Sequence, residues 1–234
     1  MKYVAVILAG GQGKRIGSHL PKQFMKIGDK PIIQYSMEKF VHTGIIDEFV
    51  IVSHPDYRNL VPIDKIQLSL PCHVIAGGSS RNLSTWHAID FARNKYRNEE
   101  TSLIFQDAAR PNPDPEIIKS ISHKLLKHSA VVAVNKINDT IYRLDENNKF
   151  AGTADRTKLL KAHTPQAFRL RTIMQAYDLK QLDGNPEFSD DISIVKHYLP
   201  ETNIGFVEDS PLNFKISYPE DLKLMSAVLL DNKK

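Results

Sequence analysis

The sequence predicts an α/β fold built on a doubly wound, mostly parallel sheet. Three observations point there: short apolar runs recur along the chain, helical patterns lie between them, and unusually polar, glycine-bearing segments follow particular runs. Strands alternating with helices of about 10–15 residues suit a parallel sheet covered on both faces.

Tyr3 to Leu8 is a continuous apolar run that stops at Ala9-Gly10-Gly11, the pattern of a strand buried on both sides. Glu48–Ser53, His73–Ala76, Leu103–Gln106 and Ala130–Val134 are further short apolar strands. Helical patterns occupy Ile32–His42, Leu83–Lys95 and Ile117–His128, and resume at Leu170–Leu182, Asp190–His197 and Pro219–Leu230. Pro219 suits a first helical position, and Glu220-Asp221 suits the positive end of the helix dipole. From about Ile137 to Leu160 the alternation breaks. Thr140–Leu144 alternates, Asp145–Asn148 is a turn cluster, and Lys149–Thr153 returns as a second strand. The expectation is one domain over residues 1–234 with a protruding β-hairpin arm at about 137–160.

Length and composition bound the function. A chain of 234 residues with 41% hydrophobic and 25% charged residues has enough apolar material for one large core. The net charge of +4 comes without any block of five like charges, so a nucleic-acid partner is not expected. A mildly basic enzyme acting on anionic phosphates accounts for the same charge. Cys72 is the only cysteine, which leaves no internal disulfide and no thiolate zinc site. The N-terminal apolar run is interrupted by glycine too early for a signal segment. No run approaches the roughly 18 apolar residues of a membrane span. A cytoplasmic protein without a membrane partner is expected.

The chemistry concentrates in a few segments. Leu8 to Gly17 carries Gly10, Gly11 and Gly13 directly after a buried strand, and Arg15 and Lys22 follow. Glycines there let backbone N–H groups approach a phosphate or base, and the two cations suit a phosphate chain. A plain structural turn with two solvated charges is the competing reading. Two familiar motifs fail: a P-loop needs glycine at Leu8, and the dinucleotide fingerprint needs glycine at Ile16. Asp107 follows the strand Leu103–Gln106, and a carboxylate at that tip is well placed to hold Mg²⁺ against triphosphate oxygens. Its alternative is a helix or turn cap. Lys215, in Asn213–Ser217, is a further cation. The nine histidines are scattered, with no Ser/His/Asp set and no metal-histidine set.

Taken together, these segments resemble the methylerythritol-phosphate cytidylyltransferase family, which includes the ribitol-phosphate cytidylyltransferases of wall and capsule synthesis. The resemblance runs through Pro21-Lys22-Gln23-Phe24, Gly77-Gly78-Ser79-Ser80-Arg81 and Asp107-Ala108-Ala109-Arg110-Pro111. It continues through Asp139-Thr140, Asp155-Arg156, Thr164–Phe168, Ser189-Asp190-Asp191 and Asn213–Ile216. It implies a Rossmann-like sheet of the nucleotide-diphospho-sugar-transferase type and transfer of CMP from CTP to a small polyol phosphate. Arg15, Lys22 and Lys215 would be catalytic, and Asp107 would hold Mg²⁺. Ala9, Gly10, Gly11, Gly77, Gly78, Arg81 and Ser84 would form the cytidine pocket. Thr140, Arg156, Thr164 and Ser189 fall where the family binds the polyol phosphate. From the residues alone, Asp139 reads as a hairpin-base residue and Thr164-Pro165-Gln166 as a structural turn. The resemblance also implies a homodimer in which the arm reaches the neighbouring subunit.

Departures bear on substrate. Gln106 stands where histidine is common, Leu160 where tryptophan is frequent, and Ser189 where threonine is frequent. Leu8-Ala9-Gly10-Gly11 is closer to wall and capsule members, whereas Asp107-Ala108-Ala109 leans toward the isoprenoid enzymes. Methylerythritol 4-phosphate and ribitol 5-phosphate both remain open. A nucleotidyltransferase for another base, or a nucleotide-binding module without turnover, are the rival classes.

Overall fold

The computed structural model describes residues 1–11, 13, 16–65, 70–97 and 100–231. Strand β1 (Lys2–Ala9) leads through the short hairpin β2 (Lys26–Ile27) and β3 (Lys30–Pro31) into α1 (Ile32–Val41) and β4 (Glu48–Ser53). Then come β5 (Cys72–Ala76), α2 (Arg81–Lys95), β6 (Thr101–Asp107), α3 (Pro115–Lys124) and β7 (Ala130–Lys136). The arm carries β8 (Tyr142–Leu144) and β9 (Phe150–Thr153). The chain closes with β10 (Leu160–Arg169), α4 (Leu170–Leu182), α5 (Asp191–Tyr198), β11 (Ile204–Glu208) and α6 (Pro219–Asp231).

Seven strands form the central sheet in the order β11-β7-β10-β6-β1-β4-β5. Among the described strands of this sheet, only β10 runs antiparallel to its neighbours. The burial of β1 explains its continuous apolar run. Ala5, Ile7 and Ala9 enter one apolar layer with Ile33 and Met37 of α1 and Ile118 of α3. Val4, Val6 and Leu8 enter the opposite layer with Ala88 of α2, Ile173 of α4 and Ile194 of α5. A strand covered on both faces has no polar side to show. A smaller cluster joins Ile27, Ile32 and Tyr35 to Ile216 and to Met225 and Leu229 of α6.

The expected strands and helices are present, with ends shifted by a few residues, most clearly at β6, β7, α2 and α3. The short pair β2–β3 and two strands of the central sheet escaped the sequence reading. Thr164-Pro165-Gln166 is not a turn between elements; it lies inside β10, between β6 and β7. The pairing register of β10 with β7 shifts between Ala162 and Gln166, and that irregularity admits a proline within a central strand. Phe168 of β10 meets Phe105 of β6 edge-on with ring centroids 6.0 Å apart. Each such buried ring contributes about 1.5–3 kcal/mol to packing β10 against β6. The other missed strand of the central sheet, β11, pairs parallel with β7 from Ile204 to Glu208. Among the described residues no helix is long and apolar enough to cross a membrane.

Candidate active site

The sheet order reverses at β1. Strands β4 and β5 lie on one side of it and β6 on the other, so a crevice opens beyond the carboxyl ends of β1 and β6. A cavity of about 710 Å³ occupies that crevice. Its described lining includes Gly10 and Gly11 after β1, His54 after β4, Gly78 to Arg81 and Ser84, Asp107 to Ala109, and Lys22 and Lys215.

The loop after β1 is held from below by a residue the sequence reading quoted but gave no role. The buried Gln23 amide donates to the Ala9 carbonyl at 2.6 Å and to the Gly11 carbonyl at 2.8 Å. Those carbonyls are bound to Gln23, and Gly10, Gly11 and Gly13 line the cavity. Gly13 has φ near +70°, and a β-carbon there would lie 3.0 Å from the Lys22 backbone nitrogen. Glycine thus lets the loop and the lysine segment pack closely. Arg15 lies outside the described residues.

The opposite wall is the first turn of α2. Ser80 caps the helix by accepting from the Leu83 N–H at 3.1 Å. Ser84 Oγ donates to the Ser80 carbonyl at 2.9 Å and accepts from the Gly78 N–H at 3.1 Å. A β-carbon on Gly10 or Gly77 would come within 3.1 Å of that hydroxyl, and one on Gly78 within 2.3 Å of Leu83 Cγ. Gly78 is therefore required by its packing on Leu83, and Gly10 and Gly77 sit in close contact with Ser84. Ala9 is buried in the apolar layer against α1 and α3, and the Gly77 N–H donates to the Ser53 carbonyl at 2.8 Å.

Asp107 is the electrostatic centre. Its carboxylate accepts from Lys215 Nζ at 2.7 Å and lies 3.6 Å from Arg81 Nε. Burial alone would raise its pKa, but the Lys215 ammonium and then the Arg81 guanidinium hold it well below the usual carboxylate range. Arg81 also pairs with Asp191 at 2.9 Å, a carboxylate with no solvent exposure. Burial opposes the Arg81 charge, yet Asp191 and Asp107 together raise its pKa further. Lys22 Nζ donates to the Ile216 carbonyl at 2.6 Å, which places it beside the Lys215 segment. Three described cations thus line the cavity against one carboxylate, an arrangement fit for a polyanion.

Of the expected cytidine and phosphate residues within the described chain, Gly10, Gly11, Lys22, Gly78, Arg81, Ser84, Asp107 and Lys215 line one cavity, whereas Ala9 and Gly77 do not. None of the expected polyol-phosphate residues lines it. Thr164 is buried beneath the floor, where its hydroxyl accepts from the Asp107 N–H at 3.1 Å. Ser189 is exposed on the loop before α5, and Thr140 and Arg156 are exposed on the arm. The Arg156 guanidinium donates to the Asn138 carbonyl at the arm's base. His54, at the cavity edge, and Asp191, behind Arg81, were not foreseen. Asp191 sits within Ser189-Asp190-Asp191, and the pair it makes with Arg81 crosses too much sequence to be read locally.

Asp107 is also the test of a metal. Among the described residues no group of three or more His, Cys, Asp and Glu is placed to hold an ion. Mg²⁺ commonly takes one or two carboxylates and completes its shell with water and substrate phosphates. One ionised carboxylate in a cavity for polyanions fits that habit.

The chain matches the family model described as 2-C-methyl-D-erythritol 4-phosphate cytidylyltransferase over residues 3–231. It is 34% identical over 224 residues to the 2-C-methyl-D-erythritol 4-phosphate cytidylyltransferase of Petrotoga mobilis, covering 96% of each chain. It is 37% identical over 224 residues to a bifunctional ribulose 5-phosphate reductase/CDP-ribitol pyrophosphorylase of Haemophilus influenzae. That alignment takes 94% of this chain and 47% of the relative, so the chain spans about half the Haemophilus protein. The fold is shared with 4-diphosphocytidyl-2C-methyl-D-erythritol synthase from Anaerococcus prevotii, with TM-score 0.84, 23% identity and 98% of both chains covered.

Proposed function

The chain belongs to the 2-C-methyl-D-erythritol 4-phosphate cytidylyltransferase family, and from that premise we propose that it joins CMP, taken from CTP, to a small polyol phosphate and releases pyrophosphate. The observation that carries the reading is the cavity in which Lys22, Arg81 and Lys215 face Asp107 beside a glycine loop.

The chemistry follows from those residues. A phosphate monoester is largely dianionic at neutral pH because its second pKa is about 6. One of its oxygens attacks the α-phosphorus of CTP, the bond to the bridging oxygen breaks, and pyrophosphate departs. No general base is needed, so the protein's task is to position two anions and neutralise them. Lys22 and Lys215 supply charge where it accumulates, and Arg15 is assigned the same task. The glycine loop and the Gly78–Ser84 turn hold the nucleoside. Bound Mg²⁺ would be held by Asp107 and would draw charge from the phosphate oxygens.

2-C-methyl-D-erythritol 4-phosphate is the first reading of the acceptor. Ribitol 5-phosphate is the second, favoured by the Haemophilus relative named for CDP-ribitol. Thr140, Arg156, Thr164 and Ser189 are assigned to the acceptor. Their separation within one chain supports a two-fold dimer in which the arm completes the neighbour's site. The arm's apolar side chains support the same reading: Tyr142, Leu144 and Phe150 are 64%, 58% and 65% exposed. A two-stranded ribbon with its apolar residues in water is marginal until it is covered.

The test is release of pyrophosphate from CTP with each polyol phosphate side by side, and with ATP, GTP and UTP as controls. Turnover confined to CTP and one acceptor is expected. Turnover with another nucleotide alone, or none with either acceptor, refutes the reading.

A further inference from the structure

We propose that Asp209, paired with His163 beneath the cavity floor, is a positioning residue that sets Lys215 against Asp107. The inference rests on the proposed reaction for its kinetic consequence and on geometry for its origin.

Asp209 follows β11, and its side chain has no solvent exposure. Such a carboxylate is tolerated only when donors surround it. Its Oδ1 accepts from the Ser210 N–H at 2.8 Å. Its Oδ2 accepts from Asn213 Nδ2 at 2.8 Å and lies 3.2 Å from His163 Nδ1, which acts as donor to it. His163 is 3% exposed, and its Nε2 has no hydrogen-bond partner among the described residues. The ring therefore serves the carboxylate alone.

The contacts lead directly to the reacting end of the cavity. Asn213, wholly buried, donates a second time from Nδ2 to the Thr164 carbonyl at 2.9 Å. Its own carbonyl accepts from Arg110 Nη1 at 2.9 Å. Three residues later the Ile216 N–H donates to the Ala109 carbonyl at 2.9 Å. The backbone carrying Lys215 is thus pinned on both sides, and Lys215 Nζ reaches Asp107 at 2.7 Å. Asp209 orients the Asn213 amide, Asn213 fixes the segment, and the segment aims the lysine. Neither His163 nor Asp209 lines the cavity, so both act through Lys215 rather than on substrate.

Asp209→Asn is nearly isosteric but replaces one of two acceptor oxygens with a donor, which then meets either Asn213 Nδ2 and His163 Nδ1 or the Ser210 N–H. A misplacement on the order of 1 Å costs up to about 10²-fold in rate, so kcat should fall about ten- to a hundred-fold. KM for CTP should stay within about twofold, because the nucleoside wall is untouched. In a Lys215→Ala background the same substitution should lower the remaining rate less than about twofold, since coupled residues are not additive. Equal losses in both backgrounds, or wild-type kcat for Asp209→Asn, overturn the proposal.

Should Asp209→Asn fail to fold, His163 carries the same test. His163→Leu removes one donor and should lose kcat, whereas His163→Asn keeps a donor near Nδ1 and should restore it. Equal losses for both overturn the proposal. A crystal structure of the impaired variant separates this inference from the reaction itself. Displacement of Lys215 Nζ from Asp107 by about 1 Å or more supports it whatever the acceptor is, and an unmoved lysine refutes it.

Discussion

Arg81→Met is the sharpest probe of how the site is built into the fold. Arg81 stands on the first turn of α2 and pairs at 2.9 Å with Asp191, whose side chain is 0% exposed against 26% for the arginine. Methionine keeps most of the length and apolar stem but removes the charge. Asp191 then remains in the core with the Tyr177 hydroxyl, which donates to its other oxygen at 2.6 Å. Breaking a buried pair on one side costs about 3–5 kcal/mol, and the remaining tyrosine contact places this case near about 3 kcal/mol. For a domain of this size that lowers Tm by about 6–12 °C. Thermal unfolding followed by circular dichroism reads the shift directly. Arg81→Met/Asp191→Asn should recover a large part of it, because the asparagine carries no charge to strand. A Tm within about 2 °C of wild type for the single variant would refute the reasoning.

The other predictions concern the chemistry. Lys22→Ala should lower kcat/KM by at least about 10²-fold, the usual loss of one transition-state donor, and near-normal turnover at saturating CTP would remove Lys22 from catalysis. Asp107→Asn should keep the fold and lose Mg²⁺-dependent rate; an unchanged metal titration and rate would leave Asp107 as a structural partner of Lys215 and Arg81. Arg156→Ala and Lys22→Ala, each impaired alone, should regain activity when mixed under subunit exchange, because one site of each heterodimer has both residues intact. Heterodimers without recovered activity would show that the arm does not complete its neighbour's site.

The legible parts of the fold are those whose pattern is local. The run Tyr3–Leu8 announces a strand covered on both faces, and apolar layers lie against both of its faces. Strand β10 was illegible because Pro165 contradicts a central strand unless the register shift in its pairing is known. β11 was missed because its outward Phe206 and inward Gly205 and Val207 make a short, weak alternation. The start of α2 was placed two residues late because Asn82 is polar but buried. Its side chain exchanges hydrogen bonds with the Phe188 backbone, a partner 106 residues away.

The same distinction divides the site. Asp107 is over-determined by the protein's own core: Thr164 holds its N–H, Lys215 and Arg81 hold its carboxylate, and Asp191 holds Arg81. Moving it would strand buried charges, so folding the chain also assembles the proposed nucleotide half of the site. Arg156 has no comparable constraint. It is exposed on the arm and tied to the Asn138 carbonyl at the arm's own base, a contact worth little in water. Nothing in the energetics of a single chain directs that guanidinium toward an acceptor phosphate. If Arg156 serves the reaction, its position must be set by whatever covers Tyr142, Leu144 and Phe150. Assembly of the acceptor half should then depend on protein concentration while CTP binding does not. Dilution should raise KM for the polyol phosphate and leave the affinity for CTP unchanged, and a parallel rise in both would mean that one chain already holds the complete site.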